Sequence, residues 1–127
     1  EARTVLVVDD EPGVRTLLEV LLKDRGLEVL LACDGEEGLA VWQEERDHIG
    51  LVLLDLTMPR MGGGELLRAL RRRGSSVPVL LMSGYAKEEV VGRFTGMGLT
   101  GFIQKPFKVA AMLERIEETL GDGTSGG

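Results

Sequence analysis

Several residue types are scarce in this sequence, and each scarcity excludes a class of protein. Cys33 is the only cysteine among 127 residues, so no internal disulfide can form and a reducing compartment is the expected setting. Lysine and arginine (15) are outnumbered by aspartate and glutamate (21), which gives a net charge of −6. Phosphate contacts need clustered basic residues. We therefore expect no direct nucleic-acid binding by this chain.

Long apolar runs are also missing. No run approaches the ~20 residues that cross a bilayer, and the first residues lack the apolar segment of a signal peptide. We expect a cytoplasmic domain without membrane contact of its own, although a parent protein could be membrane-anchored. No glycine-rich loop follows the first apolar run, Thr4 to Val8, which argues against a dinucleotide-binding domain.

The composition that is present suits one globular domain. Apolar residues make up 43% and charged residues 28%, and a chain of this length can bury about two-thirds of its unfolded surface without disulfides or structural metals. We predict one domain over residues 1–120. The glycine- and serine-rich residues 121–127 are predicted to be a flexible tail or the start of a linker.

Short apolar runs alternate with amphipathic stretches along the whole chain. The strand-like runs are Thr4–Val8, Leu27–Ala32, Gly50–Leu54, Val77–Met82 and Phe102–Gln104. The helical stretches begin at Pro12, surround Leu39 and Trp42, surround Leu66 to Leu70, and extend over Lys87–Phe94 and Val109–Leu120. Five successive βα units predict an α/β fold with a doubly wound parallel sheet and helices on both of its faces.

Polar side chains follow four of the five predicted strands. They are Asp9 and Asp10, Asp55, Ser83, and Lys105. Because ligands of open α/β sheets bind at the carboxyl ends of the strands, we expect these side chains to form one site. Three carboxylates there repel one another, and Mg²⁺ relieves such repulsion because it prefers oxygen ligands.

The two remaining polar groups suit phosphate. The Lys105 ammonium can pair with a phosphoryl oxygen, and the Ser83 hydroxyl can donate a hydrogen bond to another. A nucleophilic carboxylate, a metal ion and a cation are the components of phosphoryl transfer by positioning and electrostatics. The pattern therefore indicates phosphoryl chemistry at Asp55.

The chain resembles the receiver domains of two-component response regulators from about Thr4 to Leu120. The motifs that carry the resemblance are Val7-Val8-Asp9-Asp10-Glu11, Leu53-Leu54-Asp55-Leu56-Thr57-Met58-Pro59, Met82-Ser83-Gly84 and Lys105-Pro106-Phe107. The resemblance implies a flavodoxin-like five-stranded sheet with strand order 2-1-3-4-5 and five helices. The stretches Ser83–Ala86 and Gly101–Phe107 look most like receivers fused to hybrid sensor histidine kinases, although a free-standing regulator fits as well.

The resemblance also implies a role for each site residue. Asp55 accepts the phosphoryl group from a phosphohistidine on a sensor histidine kinase or a phosphotransfer domain. Asp10, Asp55 and the backbone carbonyl of Thr57 ligate Mg²⁺ directly, and Asp9 helps through water. Lys105, in a cis peptide with Pro106, contacts the phosphoryl group.

The resemblance also implies that four positions determine the conformational switch and the lifetime of the phosphorylated form. Ser83 and Phe102 match the pair whose hydroxyl and ring reorient on phosphorylation. Thr57 and Tyr85 flank the path of the water that hydrolyses the acyl phosphate, so they modulate its lifetime. The chemistry is confined to the domain itself, so we predict a self-phosphorylating and self-dephosphorylating module and no separate enzyme activity.

Two other functions stay open at this point. An aspartyl-phosphate phosphohydrolase would use Asp55 as nucleophile, but such enzymes usually carry a second carboxylate two residues later, where this chain has Thr57. An adaptor of the same fold would need no phosphorylation, but Asp10, Asp55, Ser83 and Lys105 are all intact.

Several site residues also have a structural alternative. Asp9 and Asp10 could cap a helix, Ser83 could belong to a turn, Phe102 to the core, and Lys105 to the surface. Outside the site, the run Arg71–Arg73 is interpreted as a solvated helix end and His48 as a solvated loop residue. Trp42 and Cys33 are interpreted as packing residues.

Overall fold

The computed structural model describes residues 3–56, 58 and 60–121, so Thr57, Pro59 and most of the predicted tail lie outside the described residues. Strands and helices alternate along the chain. In order they are β1 (Thr4–Val8), α1 (Pro12–Asp24), β2 (Glu28–Ala32), α2 (Gly35–Glu45), β3 (Ile49–Asp55), α3 (Gly63–Arg72), β4 (Val79–Ser83), α4 (Lys87–Val91), a 3-10 turn (Gly92–Phe94), β5 (Gly101–Gln104) and α5 (Val109–Thr119).

The five strands form one parallel sheet in the order β2-β1-β3-β4-β5, which confirms the predicted α/β fold and strand order. Side chains alternate between the two faces of the sheet. Val5 and Val7 pack with α1 and α5 on one face, whereas Leu6 and Val8 pack with α2, α3 and α4 on the other. Both faces are therefore covered, as continuous apolar strands require.

Two strands begin later than the apolar runs predicted. β2 begins at Glu28 rather than Leu27, and β4 begins at Val79 rather than Val77. Pro78 explains the second difference, because proline has no N–H to donate to a sheet ladder. Its carbonyl still accepts a hydrogen bond from Val52 N at 3.0 Å.

The fourth helix is shorter than predicted. Residues 87–91 are α-helical, and Gly92–Phe94 continue as a 3-10 turn. Gly92 has a low helix propensity, and Val90 and Phe94 are the buried residues of the segment. Two apolar side chains therefore hold this helix on the sheet.

Two of the interpretations of residues outside the site need correction. Cys33 is exposed, because it lies in the turn just before Asp34, which caps α2 by accepting a hydrogen bond from Glu37 N. Arg71 is half-buried rather than solvated, since its guanidinium donates to the carbonyls of Met97 and Gly98 at 2.8 and 3.1 Å. Arg72 and Arg73 are exposed, as is His48, and Trp42 is buried.

None of the helices in the described part of the chain is long and apolar enough to span a bilayer.

Candidate functional site

The predicted site residues meet at the carboxyl end of the sheet. Asp9 directly follows β1, and its N–H donates to the carbonyl of Ala32 at the end of β2. Asp55 and Ser83 are the last residues of β3 and β4. Lys105 directly follows β5, and its N–H donates to the Ser83 carbonyl at 2.7 Å. The Lys105–Pro106 peptide is cis, as the resemblance implied.

Three carboxylates form the centre of this site. Oxygens of Asp9, Asp10 and Asp55 all lie within 4.8 Å of one another. Asp9 is fully buried and Asp55 is 6% exposed, whereas Asp10 is exposed. Gly63 begins α3 against the main chain of Asp55, where a Cβ would collide with the Asp55 carbonyl. Asp55 is therefore held between a strand end and a helix start.

Lys105 is the cation of the cluster. Its Nζ lies 2.9 Å from Asp9 Oδ2, 3.5 Å from Glu11 Oε1 and 3.6 Å from Asp55 Oδ1. Partial burial lowers the pKa of Lys105, but the hydrogen bond with Asp9 and the surrounding carboxylates outweigh burial, so that the pKa is raised overall. The ammonium is thus charged and directed at the carboxylates.

Asp55 has the largest electrostatic perturbation of the site. Burial, and after it the charge of Asp9, raise the pKa of Asp55 to about 7 from the usual 3.8, although Lys105 offsets part of the rise. One ammonium therefore does not compensate three carboxylates. The donor set of oxygens with a deficit of positive charge fits a hard divalent cation such as Mg²⁺.

Ser83, Tyr85 and Phe102 lie on the β4 and β5 side of the site. Ser83 is 2% exposed, and its Oγ accepts a hydrogen bond from Tyr85 N at 2.9 Å. The Tyr85 side chain is 55% exposed and lines a cavity of about 520 Å³ together with Leu56 and Met58. Phe102 is buried in the core beside Leu81. In this structure the ring of Phe102 packs in the core and the Ser83 hydroxyl stabilises a turn.

Two residues of the site were not predicted from the sequence. Glu11 approaches Lys105 at 3.5 Å, and Arg15 donates from Nη1 to the Asp9 carbonyl at 2.6 Å. Arg15 had one signal in the sequence, since a basic residue near a helix start opposes the helix dipole. Thr57 lies outside the described residues, so its carbonyl and side chain are not placed.

Comparison with known families agrees with this geometry. The model of the response regulator receiver domain matches residues 5–117. The chain belongs to the response regulator receiver domain family. It is thus a phosphoacceptor module of two-component signalling rather than a conventional enzyme, which removes the phosphohydrolase alternative.

The relatives of this receiver include both regulators and kinases. It is 38% identical over 118 residues to the probable transcriptional regulator ycf27 of Porphyridium aerugineum, covering 91% of this chain and 47% of that protein. It is 33% identical over 117 residues to the sensor kinase CckA of Brucella abortus, covering 92% of this chain and 12% of that protein. The receiver therefore spans about half the length of the regulators that it matches and a small part of the kinase.

Solved structures show the same fold. Chemotaxis protein CheY4 of Vibrio cholerae superposes with a TM-score of 0.86 at 30% identity, covering 94% of this chain and 99% of that one. The receiver domain of the hybrid histidine kinase CckA superposes with a TM-score of 0.77 at 35% identity, covering 92% and 98%. A chemotaxis protein and the receiver domain of a hybrid histidine kinase are thus both similar in structure to this receiver.

Proposed function

We propose that Asp55 accepts a phosphoryl group from a phosphohistidine on a sensor histidine kinase or a histidine phosphotransfer domain. The observation that carries this proposal is the convergence on one buried carboxylate: Lys105 Nζ lies 3.6 Å from Asp55 Oδ1, and the oxygens of Asp9 and Asp10 lie within 4.8 Å of the same residue. Asp55 is the member that ends a central strand and is nearly buried.

The chemistry assigned to the chain is a single displacement. An oxygen of ionised Asp55 forms a bond to phosphorus while the bond from phosphorus to the donor imidazole nitrogen breaks, and the electron pair stays on that nitrogen. Lys105 pairs with one phosphoryl oxygen, and the Ser83 hydroxyl donates to another. Burial of Asp55 keeps bulk water away from the reacting oxygen.

Mg²⁺ would be held by Asp10, Asp55 and the backbone carbonyl of Thr57, with Asp9 acting through water. A bound Mg²⁺ supplies positive charge that stabilises ionised Asp55 and the phosphoryl oxygens. The raised pKa of Asp55 supports this assignment, because this carboxylate is only partly ionised at neutral pH without further positive charge.

The conformational switch follows from the side chains that a phosphoryl group on Asp55 would attract. Lys105 now divides its ammonium between Asp9, Glu11 and Asp55, and Ser83 Oγ is engaged by Tyr85 N. A phosphoryl group on Asp55 offers the Lys105 ammonium a stronger acceptor, and it offers an acceptor to the Ser83 hydroxyl hydrogen, which the bond from Tyr85 N does not use. Reorientation of Ser83 and of the Phe102 ring would then change the surface formed by α4, β5 and α5.

The acyl phosphate is removed by water, which makes the receiver self-dephosphorylating. Thr57 and Tyr85 are assigned to the path of that water, and neither is a strong base. The 55% exposure of Tyr85 lets its ring shield the acceptor or swing away from it.

The wider organisation is part of the same proposal. We assign the receiver domain to residues 1–120; the predicted tail, residues 121–127, lies outside the described residues except for Gly121. The parent protein is a hybrid histidine kinase or a response regulator in the cytoplasm or on a membrane, and this domain itself contacts neither nucleic acid nor lipid.

A small phosphodonor tests the function directly. Incubation with acetyl phosphate and Mg²⁺ should add one phosphoryl group to the wild-type chain, as measured by intact mass, and the adduct should be labile to alkali. The variant Asp55→Asn should gain none, whereas Asp47→Asn, which changes an exposed carboxylate, should label like the wild type. Equal labelling of Asp55→Asn would overturn the assignment.

A further inference from the structure

Asp9 is fixed by more hydrogen bonds than a ligand of the site needs. Its Oδ1 accepts from Glu11 N at 2.9 Å and its Oδ2 from Lys105 Nζ at 2.9 Å. Its N–H donates to the Ala32 carbonyl. Its own carbonyl accepts from Arg15 Nη1 at 2.6 Å. Both ends of the residue and both carboxylate oxygens are therefore engaged.

The carbonyl of Asp9 depends on a side chain for its partner. β1 ends at Val8, so this carbonyl is beyond the sheet ladder, and α1 begins at Pro12, which has no N–H to donate. The N–H groups of Val14 and Arg15 both donate to the Glu11 carbonyl instead. A buried carbonyl without a donor is costly, and the Arg15 guanidinium supplies the donor.

Arg15 lies where a helix does not favour a cation. It is in the first turns of α1, and the positive end of the helix dipole disfavours a basic side chain there. Helical side chains lean toward the N-terminus of their helix, which lets Arg15 reach back to the end of β1. Arg15 also helps to lower the pKa of Glu37, although the hydrogen bonds with Cys33 are the larger cause.

The Asp9–Asp10 peptide is the element that this contact controls. Its carbonyl oxygen accepts a hydrogen bond from Arg15, and the N–H of Glu11 donates to Asp9 Oδ1. The orientation of this peptide plane determines where the Cα of Asp10, and hence its exposed carboxylate, points. Without the guanidinium the plane could rotate, and Asp10 would lose its fixed position near Asp9 and Asp55.

The geometry points to Arg15 as a positioning residue that fixes the Asp9–Asp10 peptide so that Asp10 is preorganised to ligate a divalent cation. This inference rests on the proposed function, because it takes the three carboxylates as the Mg²⁺ site. It assigns Arg15 an effect opposite in sign to that of its charge alone. A cation near three carboxylates should weaken Mg²⁺ binding by repulsion, whereas a positioning residue should strengthen it.

The test is Mg²⁺ affinity by calorimetric titration of the full chain. Arg15→Met and Arg15→Gln should each weaken Mg²⁺ binding by about tenfold, the equivalent of one lost charge-assisted hydrogen bond. The control is Lys23→Met, which removes the same charge from an exposed position on the same helix and should stay within about twofold of the wild type. Urea unfolding confirms that each variant is folded.

A second measurement separates positioning from general damage. In acetyl phosphate reactions, the Mg²⁺ concentration for half-maximal rate should rise about tenfold in both Arg15 variants, while the rate at saturating Mg²⁺ stays within about twofold of the wild type. Amide exchange at Asp10 and Glu11 should also be faster.

The outcomes are distinguishable. Unchanged or tighter Mg²⁺ binding in the two Arg15 variants would overturn the inference and leave the proposed function intact. No saturable Mg²⁺ binding by the wild-type chain would overturn both.

Discussion

The two ends of the sheet differ in how they organise charge. At the amino end, Arg3, Glu28, Glu45, Asp47 and His48 line an open cavity of about 730 Å³, and all five side chains are exposed or half-buried. At the carboxyl end, Asp9 and Asp55 are buried, and Lys105 lies within 4 Å of both. The amino end therefore has this large cavity, but the closely coupled charges lie at the carboxyl end.

Burial of the charged side chains, rather than the size of a cavity, distinguishes the functional end of the sheet. Charges in water interact weakly, whereas buried charges interact strongly and shift one another's pKa values. Helices α1 and α3 also begin at the carboxyl end, and helix N-termini favour negative groups. Substitutions at the amino end should accordingly be silent in function, and matched substitutions at the carboxyl end should not.

The largest expected difference between the ends concerns Mg²⁺. Asp10→Ala should abolish saturable Mg²⁺ binding and phosphorylation, because it removes one of the three clustered carboxylates. The fold should survive or gain stability through reduced repulsion. Asp47→Ala removes an exposed carboxylate at the amino end and should leave the titration unchanged. Wild-type Mg²⁺ affinity in Asp10→Ala would remove Asp10 from the ligand set.

The next effect concerns the cation. Lys105→Met keeps much of the stem but deletes the ammonium, so phosphorylation by acetyl phosphate should slow by about 100-fold, the usual cost of removing one preorganised donor. The response of Phe102 to phosphorylation should also be uncoupled, which a fluorine label on that ring can report. Lys108→Met, an exposed lysine three residues later, is the control. Wild-type kinetics with a wild-type shift at Phe102 would make Lys105 a surface residue.

The pH dependence of the free energy of unfolding should distinguish the two ends of the sheet without any phosphodonor. The pKa of Asp55 is about 7 in the folded chain and near 3.8 when unfolded. Over that interval the folded state binds more protons than the unfolded state, so Asp55 lowers the free energy of unfolding as pH rises. In EDTA, Asp55→Asn should match the wild type near pH 3.5 and exceed it by on the order of 2–4 kcal/mol at pH 8.

The control for this measurement is again Asp47→Asn, whose effect should stay within about 0.5 kcal/mol at every pH. A stability gain in Asp55→Asn that does not grow between pH 4 and pH 7 would contradict the electrostatic account.

The smallest effect concerns the lifetime of the phosphoform. We predict slow self-dephosphorylation, because Thr57 and Tyr85 offer no base to the attacking water. Tyr85→Ala opens the path and Thr57→Asn offers an amide, so each should shorten the lifetime by about threefold, equal to about 0.6 kcal/mol on the barrier. Decay is measured at fixed Mg²⁺ and pH after the donor is removed. Unchanged or slower decay in both variants would show that water access past these side chains does not control the signal.

The sequence was sufficient for the fold because the three inner strands, β1, β3 and β4, are buried at every residue except Gly50. The run Thr4–Val8 is apolar after Thr4 and became β1 with the predicted bounds. Once strand ends are known, a parallel sheet brings them to one edge, and so Asp9, Asp55, Ser83 and Lys105 were placed together by topology alone.

The residues that were missed depend on side-chain reach rather than on period. The bond from Arg15 to the Asp9 carbonyl and the bonds from Arg71 to Met97 and Gly98 join separate elements, and no spacing rule reveals them. Cys33 was interpreted as packing from its residue type, but the turn before the Asp34 cap exposes it.

Locating the phosphoryl group on the chain tests most directly whether Asp55 is the acceptor. After incubation with acetyl phosphate and Mg²⁺, borohydride reduction converts an aspartyl phosphate to homoserine, and tandem mass spectrometry of the peptides identifies the position. We expect homoserine at Asp55 and at no other aspartate of the wild-type chain. Homoserine at Asp9 or Asp10, or its absence from Asp55, would contradict it.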